Sequence, residues 1–204
     1  MFTGIIEAIG TVDHVERHSI GARLRIASGK LNLADVHVGD SIAVSGVCLT
    51  VTELHANGFC ADVSGETLAC TTFATLAEGT RLNLEKSLTL TKPLGGHWVS
   101  GHVDGVGNIT ACDKDGESLR VQIKAPDNLA KYIAAKGSIS VDGVSLTINA
   151  VSGAEFTVNL VPHTLQETTL GEVKAGRKVN LEVDIIARYL ERLLLGERAA
   201  RQAE

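Results

Sequence analysis

The chain has 204 residues, of which 44% are hydrophobic and only 3% aromatic, with a formal net charge of −5. That apolar content fills real cores and argues against disorder. Without a basic surplus, neither a nucleic acid nor an anionic membrane is an expected partner. No apolar run approaches the roughly 18 residues of a membrane span. The Met1–Glu7 start lacks the basic and apolar regions of a secretory signal. Four scattered cysteines (Cys48, Cys60, Cys70, Cys112) with no C-x-x-C pair read as reduced thiols, which implies a cytoplasmic setting.

In chain order, polar and apolar residues first alternate at Arg23–Ile26, the period of a half-buried strand. Val44-Ser45-Gly46-Val47 is a weak hairpin signal, followed by the strand Val47–Val51 and a further alternating stretch at Arg81–Leu84. Everything then recurs. Shifting the sequence by 97 residues sets Gly4 on Gly101, Arg23 on Arg120 and Ile26 on Ile123. It also sets Ser41-Ile42 on Ser138-Ile139, Leu49-Thr50 on Leu146-Thr147 and Phe59 on Phe156. Thr67-Leu68-x-x-Thr71-Thr72 falls on Thr164-Leu165-x-x-Thr168-Thr169, and Asn83-Leu84-Glu85 on Asn180-Leu181-Glu182. The matches cluster at one offset, so the chain is a tandem duplication.

The second copy sharpens the reading. Pro126–Ile133 is a short helix candidate ending near Gly137, Val141-Asp142-Gly143-Val144 carries an Asp-Gly hairpin turn, and Lys178–Val183 alternates again. About six short strands per copy predict an all-β protein of two tandem six-stranded, Greek-key-like β-barrels, because closure removes exposed edges. The expected divisions are 1–97, 98–184 and a tail at 185–204. In that tail Ile185, Ile186, Tyr189, Leu190, Leu193 and Leu194 recur at helical spacing, with Asp184 placed to begin the helix. It has no counterpart in the first copy. Its apolar stripe must be buried, by self-association or against its own barrel.

A strand over 47–51 puts Cys48 and Thr50 on one face, with Val47, Leu49 and Val51 on the other. The equivalent strand pairs Ser145 with Thr147, against Val144, Leu146 and Ile148. One face is core. The other is small and hydrogen-bonding, as a solvent-facing strand or a ligand-facing surface would be. Cys48 is a candidate nucleophile or a substrate-lining thiol. His97 and His102, five apart on an expected strand, face opposite sides, and no H-x-H, H-E-x-x-H or cysteine ligand set exists. Gly105-Val106-Gly107 lacks the third glycine of a dinucleotide fingerprint, and there is no phosphate-binding loop.

Several motifs together resemble the riboflavin synthase α-chain family of lumazine-binding domains. They are Met1–Ile5, Gly46–Thr50, Gly95–His102, Asp142–Thr147, Val161–Thr164 and Asn180–Asp184, and the resemblance runs from Met1 to about Leu195. It implies a transferase that dismutates two 6,7-dimethyl-8-ribityllumazine molecules. A four-carbon unit passes from one to the other, giving riboflavin and 5-amino-6-ribitylaminouracil, with no metal and no external cofactor. It also implies a homotrimer held by C-terminal helices, with each site between the N-barrel of one chain and the C-barrel of a neighbour. Association with a lumazine synthase is a further partnership it raises.

By the same resemblance, the N-barrel site comprises Gly4, Ile5, Ile6, Ser41, Cys48, Leu49, Thr50, Asp62, Val63, Ser64, Gly65, Glu66 and Thr67. The C-barrel site comprises Gly101, His102, Val103, Lys136, Ser145, Leu146, Thr147, Asn159, Leu160, Val161, Pro162, His163 and Thr164. Phe2, Cys48, His102, Ser145, Thr147 and Asp184 are the residues expected nearest the chemistry.

Two identical molecules must take different roles, so the copies should differ at their polar tips. They do, at Cys48/Ser145, Ile5/His102, Asp62/Asn159 and Glu66/His163. On this reading His102, Ser145 and Thr147 assist proton transfer at one ring while Cys48 contacts the other. The rivals are a non-catalytic lumazine or flavin carrier, which typically keeps one working cradle, and a purely structural oligomer. Retention of the Leu-Thr element and the distal threonine block in both copies favours the enzyme.

Overall fold

The computed structural model describes residues 1–201, with side chains as far as Gly196, so residues 202–204 of the expected tail lie outside the described residues. The first copy supplies β1 (Ala8–His18), β2 (Gly21–Ala27), β3 (Ser41–Val44), β4 (Val47–His55), β5 (Gly58–Ser64), α1 (Gly65–Cys70) and β6 (Arg81–Lys86). The second supplies β7 (Gly105–Asp115), β8 (Ser118–Lys124), β9 (Ser138–Val141), β10 (Val144–Ser152), β11 (Glu155–Leu160), α2 (Pro162–Glu167) and β12 (Lys178–Val183). Each set closes into an antiparallel barrel, β1-β2-β5-β4-β3-β6 and its equivalent β7-β8-β11-β10-β9-β12. The sequence expectation of two six-stranded barrels and a C-terminal helix is met.

Closure needs curvature, and bulges provide it at matching places. The register shifts between Val12 and His14 and between Val51 and Glu53, and at the equivalent pairs Ile109/Ala111 and Ile148/Ala150. Inward-facing residues fill each barrel: Leu24, Ile26, Ile42, Phe59 and Leu84 in one, Val121, Ile123, Ile139, Phe156 and Leu181 in the other. The hairpin signals at 45–46 and 142–143 are tight turns with positive φ at both central residues, the geometry that matches strand twist.

Two expectations change. The helix candidate at Pro126–Ile133 is a tighter 3₁₀ segment, Asp127–Tyr132, whose start has no side-chain cap. The six-residue helices α1 and α2 escape the period test because each is under two turns long. They account for the repeated threonine block. Thr71 Oγ1 donates to Thr67 O and accepts from Phe73 N, and Thr168 Oγ1 does the same with Thr164 O and Leu170 N. Thr71 and Thr168 are thus explained in both copies by capping chemistry.

The barrels are joined by reciprocal bonds. Asn83 Nδ2 donates to Asp142 O and its Oδ1 accepts from Thr169 N. Asn180 Nδ2 donates to Ser45 O and its Oδ1 accepts from Thr72 N. These buried asparagines would be costly unpaired, so each fixes the other barrel's hairpin. Equivalent residues meet at the Phe2–Val99 bridge and at the hairpin tips, where a Cβ on Gly46 would lie 2.7 Å from Gly143 N. Those points mark a pseudo-twofold axis.

At one point the halves diverge. Asp142 replaces Ser45, and its Oδ2 accepts from Arg177 Nη2 at 3.0 Å. Burial, opposed by Arg177, pushes the Asp142 carboxyl up from 3.8 to about 6. An acid with a raised folded pKa stabilises the protonated protein, and that contribution is lost as pH rises from 3.8 through about 6. We therefore expect the stability of wild type relative to Asp142→Asn to fall by up to roughly 3 kcal/mol across that window. Melting temperatures of both proteins from pH 4 to pH 7 check it; parallel curves would contradict the assignment.

The C-terminal helix α3 (Ile185–Arg201) is broken at Gly196 (φ 55°, ψ −155°). Asp184 Oδ1 accepts from Ile186 N at 2.9 Å, the expected cap. The helix is tied to its own barrel by polar contacts, Arg188 with Asp104 and Glu191 with Lys131 and Tyr132. Its apolar stripe stays in the open: Tyr189 is 67% and Leu193 78% exposed. No helix among the described residues is long and apolar enough to cross a membrane.

Candidate functional site

Each copy begins with a short irregular segment that crosses to the other barrel. Ser145 N donates to Gly4 O at 2.8 Å, and Cys48 N donates to Gly101 O at 2.8 Å. Ile6 packs against the second core and Val103 against the first. Both glycines have positive φ, and an added Cβ would lie 2.5 Å from Ser145 Cβ at Gly4 and 2.6 Å from Cys48 Cβ at Gly101. Only glycine permits so close an approach. The segments are anchored by two buried carboxylates. Glu85 accepts from Thr3 N, Thr3 Oγ1 and Gly4 N, and Glu182 from Ser100 N, Ser100 Oγ and Gly101 N. Burial raises both carboxyls, and those donors oppose it.

The expected grouping is corrected accordingly. Gly4, Ile5 and Ile6 belong beside Ser145, and Gly101, His102 and Val103 beside Cys48, the reverse of the barrel-by-barrel assignment. The exchange follows from backbone bonds spanning more than fifty residues, which local pattern cannot reveal.

The first cradle gathers half-buried Cys48, exposed Thr50 and its β3 partner Ser41, and on β5 exposed Asp62 leading into Ser64, Gly65, Glu66 and Thr67. Ser64 Oγ is occupied as the α1 cap, accepting from Thr67 N. Exposed His102 adjoins from the crossing segment, in a cleft of about 400 Å³ shared with Arg188 and Tyr189. The second cradle gathers Ser145, exposed Thr147, Asn159, and Val161, Pro162, His163 and Thr164 at the start of α2. Lys136 holds φ 68°, a left-handed conformation where the first copy has Gly39.

Some expected contacts are not available as side chains. Leu49, Val63, Leu146 and Leu160 point into the cores, so a ligand would meet only their backbone. Phe2 is fully buried in a small cluster with Ala43, Val99 and Cys48. Its ring supports the crossing and does not face solvent, so it is corrected from a residue of the chemistry to a positioning one.

His97 is the functional candidate that the spacing argument missed. It lies on an irregular segment, not a strand, and its Nδ1 is 2.7 Å from Ser145 Oγ. Its Nε2 and Asn159 Oδ1 are buried without a protein partner. Burial lowers the imidazole pKa, opposed by the Asp184 charge. A neutral imidazole bonded to a cradle hydroxyl is suited to general base work. The expected pairing of His102 with Ser145 is thereby replaced by His97 with Ser145.

The chain matches the lumazine binding domain family twice, at residues 3–87 and 100–184. It is 49% identical to the riboflavin synthase of Photobacterium phosphoreum over 96% of this chain and 89% of that protein. The riboflavin synthase of Bacillus subtilis is 44% identical over 95% and 90%. The chain belongs to the riboflavin synthase family. It is accordingly an enzyme, and the transferase class follows from that family. A solved neighbour, LumP complexed with 6,7-dimethyl-8-(1'-D-ribityl) lumazine, aligns with TM-score 0.81 at 27% identity, over 90% of this chain and 99% of that one. The family and this neighbour share the two-barrel frame. The higher identity lies with the synthases.

Proposed function

We propose that the two cradles each hold one 6,7-dimethyl-8-ribityllumazine and that the chain dismutates the pair to riboflavin and 5-amino-6-ribitylaminouracil. The observation that carries this is the exchange of crossing segments, which gives two equivalent cradles with unequal polar groups. A reaction between identical molecules needs equivalence for binding and inequality for roles. Positioning supplies much of the rate, since effective molarities for oriented partners reach about 10⁵–10⁸ M. The acidic 7-methyl group then needs one modest base. The Ser145–His97 pair serves as that base at the second cradle, with Thr147, Asn159 and Lys136 holding its ring and Asp184 beside the imidazole. The first cradle, with Cys48, Thr50, Asp62 and His102, holds the partner ring. No cofactor enters the reaction.

Each cradle is open on its outer face, and the exposed α3 stripe offers an assembly surface. The reading is therefore a homotrimer joined through α3, with the first cradle of one chain facing the second of its neighbour. The setting is the cytoplasm, in keeping with four free thiols. Association with lumazine synthase, the source of the substrate, completes it. The test is to mix purified protein with the lumazine and follow the longer-wavelength flavin absorbance. Two lumazines should be consumed per flavin formed. Binding without flavin would make the chain a carrier.

A further inference from the structure

On the outer wall of the first barrel, three residues of different chemistry converge away from Cys48 and Ser145. Cys60 on β5 lies directly across from Glu53 on β4, one residue past the bulge that re-aims Glu53. His55 Nε2 is 3.3 Å from Cys60 Sγ and 3.5 Å from Glu53 Oε1. The three donor atoms all lie within 4.8 Å of one another. Ligand atoms around a tetrahedral zinc ion are roughly 3.3–3.6 Å apart, given its bond lengths to sulfur, nitrogen and oxygen. Two of the three separations are therefore already near those of a coordinated ion, and the exposed Glu53 side chain can close the third.

We infer that Glu53, His55 and Cys60 form a binding site for one thiophilic divalent cation, of which Zn²⁺ is the best fit. On binding, the Cys60 S–H bond breaks, its proton passes to solvent and the thiolate ligates the metal. His55 contributes the Nε2 lone pair, and Glu53 a carboxylate oxygen. A thiolate and a carboxylate neutralise the ion, and a thiolate–imidazole–carboxylate set suits zinc over the hard cations. Arg23 Nη2 holds the other carboxylate oxygen, Oε2, at 3.0 Å, which leaves Oε1 turned towards His55. Glu53 is exposed and His55 half-buried, so a solvent molecule can supply the fourth ligand.

The duplication supplies an internal contrast. The equivalent positions of the second barrel are Ala150, Ser152 and Thr157, which together offer no such ligand set. The cluster is thus not a requirement of the barrel. It also has no sequence motif, because its ligands meet only across the β4–β5 pairing. An ion there ties β4 to β5 just before Asp62.

The test is titration of the full-length, chelator-treated protein with cobalt(II). The expected result is one equivalent of a near-ultraviolet thiolate-to-cobalt charge-transfer band, displaced by one equivalent of zinc. Cys60→Ser should abolish the band. His55→Ala, at a half-buried side chain that no core depends on, should weaken binding by more than the roughly 10–100-fold typical of losing an outer-shell partner. Absence of the band in wild type would overturn the proposal. So would a band that survives Cys60→Ser, or an affinity unchanged by His55→Ala.

Discussion

Ser145→Ala is expected to lower turnover by about 10²–10⁴-fold, the range for loss of a positioned general base, while the lumazine still binds. Ser145 Oγ is the atom of the Ser145–His97 pair that faces the cradle, since His97 is buried behind it. His97 acts through the hydroxyl, so His97→Ala should cost about as much. The double variant should be little worse than either, as for groups that act as one unit. The pH profile gives a second reading. Burial lowers the His97 pKa from 6.5, so the neutral, basic form persists on the acid side of that value. In wild type, kcat/KM should therefore stay flat through pH 6.5 and fall only below it. Ser145→Ala should lose that limb, which a merely structural role would not touch. Turnover within a few-fold of wild type would remove the pair from the chemistry.

Much of the fold was legible because it rests on local pattern. Alternation at Val47–Val51 and its repeat at Val144–Ile148 assigns the core and outer faces correctly, and the 97-residue offset doubles every such observation. What was not legible rests on long-range bonding. Gly4 and Gly101 were visible as a repeated pair, but which barrel each touches depends on hydrogen bonds to Ser145 and Cys48. The buried strand residues Asn83, Glu85, Asn180 and Glu182 held the clue. They alternate with the core leucines and valines, so they lie buried on the outward face of their strands, where polar side chains must find partners; these found the other barrel and the crossing segments. The spacing of His97 from His102 carries meaning only on a strand. The segment is irregular, and the meaningful neighbour is Ser145, 48 residues on. Within the repeated threonine block, Thr71 and Thr168 are accounted for by capping, so their recurrence carries no information about a ligand.

The inter-chain arrangement predicts that two inactive chains restore each other. Thr50 and Thr147 are equivalent, exposed and on the outward faces of β4 and β10, so a tryptophan at either fills a cradle without entering a core. Thr50→Trp should block the first cradle and Thr147→Trp the second, and each homogeneous protein should be inactive. If sites lie between neighbouring chains, a coexpressed mixture contains interfaces with both cradles intact. For random assembly in a closed ring such interfaces make up about a quarter of the total, and activity should return to about that fraction of wild type. If both cradles of a site came from one chain, no mixing could rebuild it and activity would stay at zero. The α3 stripe links the two outcomes. Leu193→Glu with Leu194→Glu places charge on the exposed apolar face and should yield monomers by sedimentation. Those monomers should bind lumazine at separate cradles but form no flavin, because the second ring never meets the first. Full activity in a monomer would defeat the arrangement, even with every cradle residue correctly assigned.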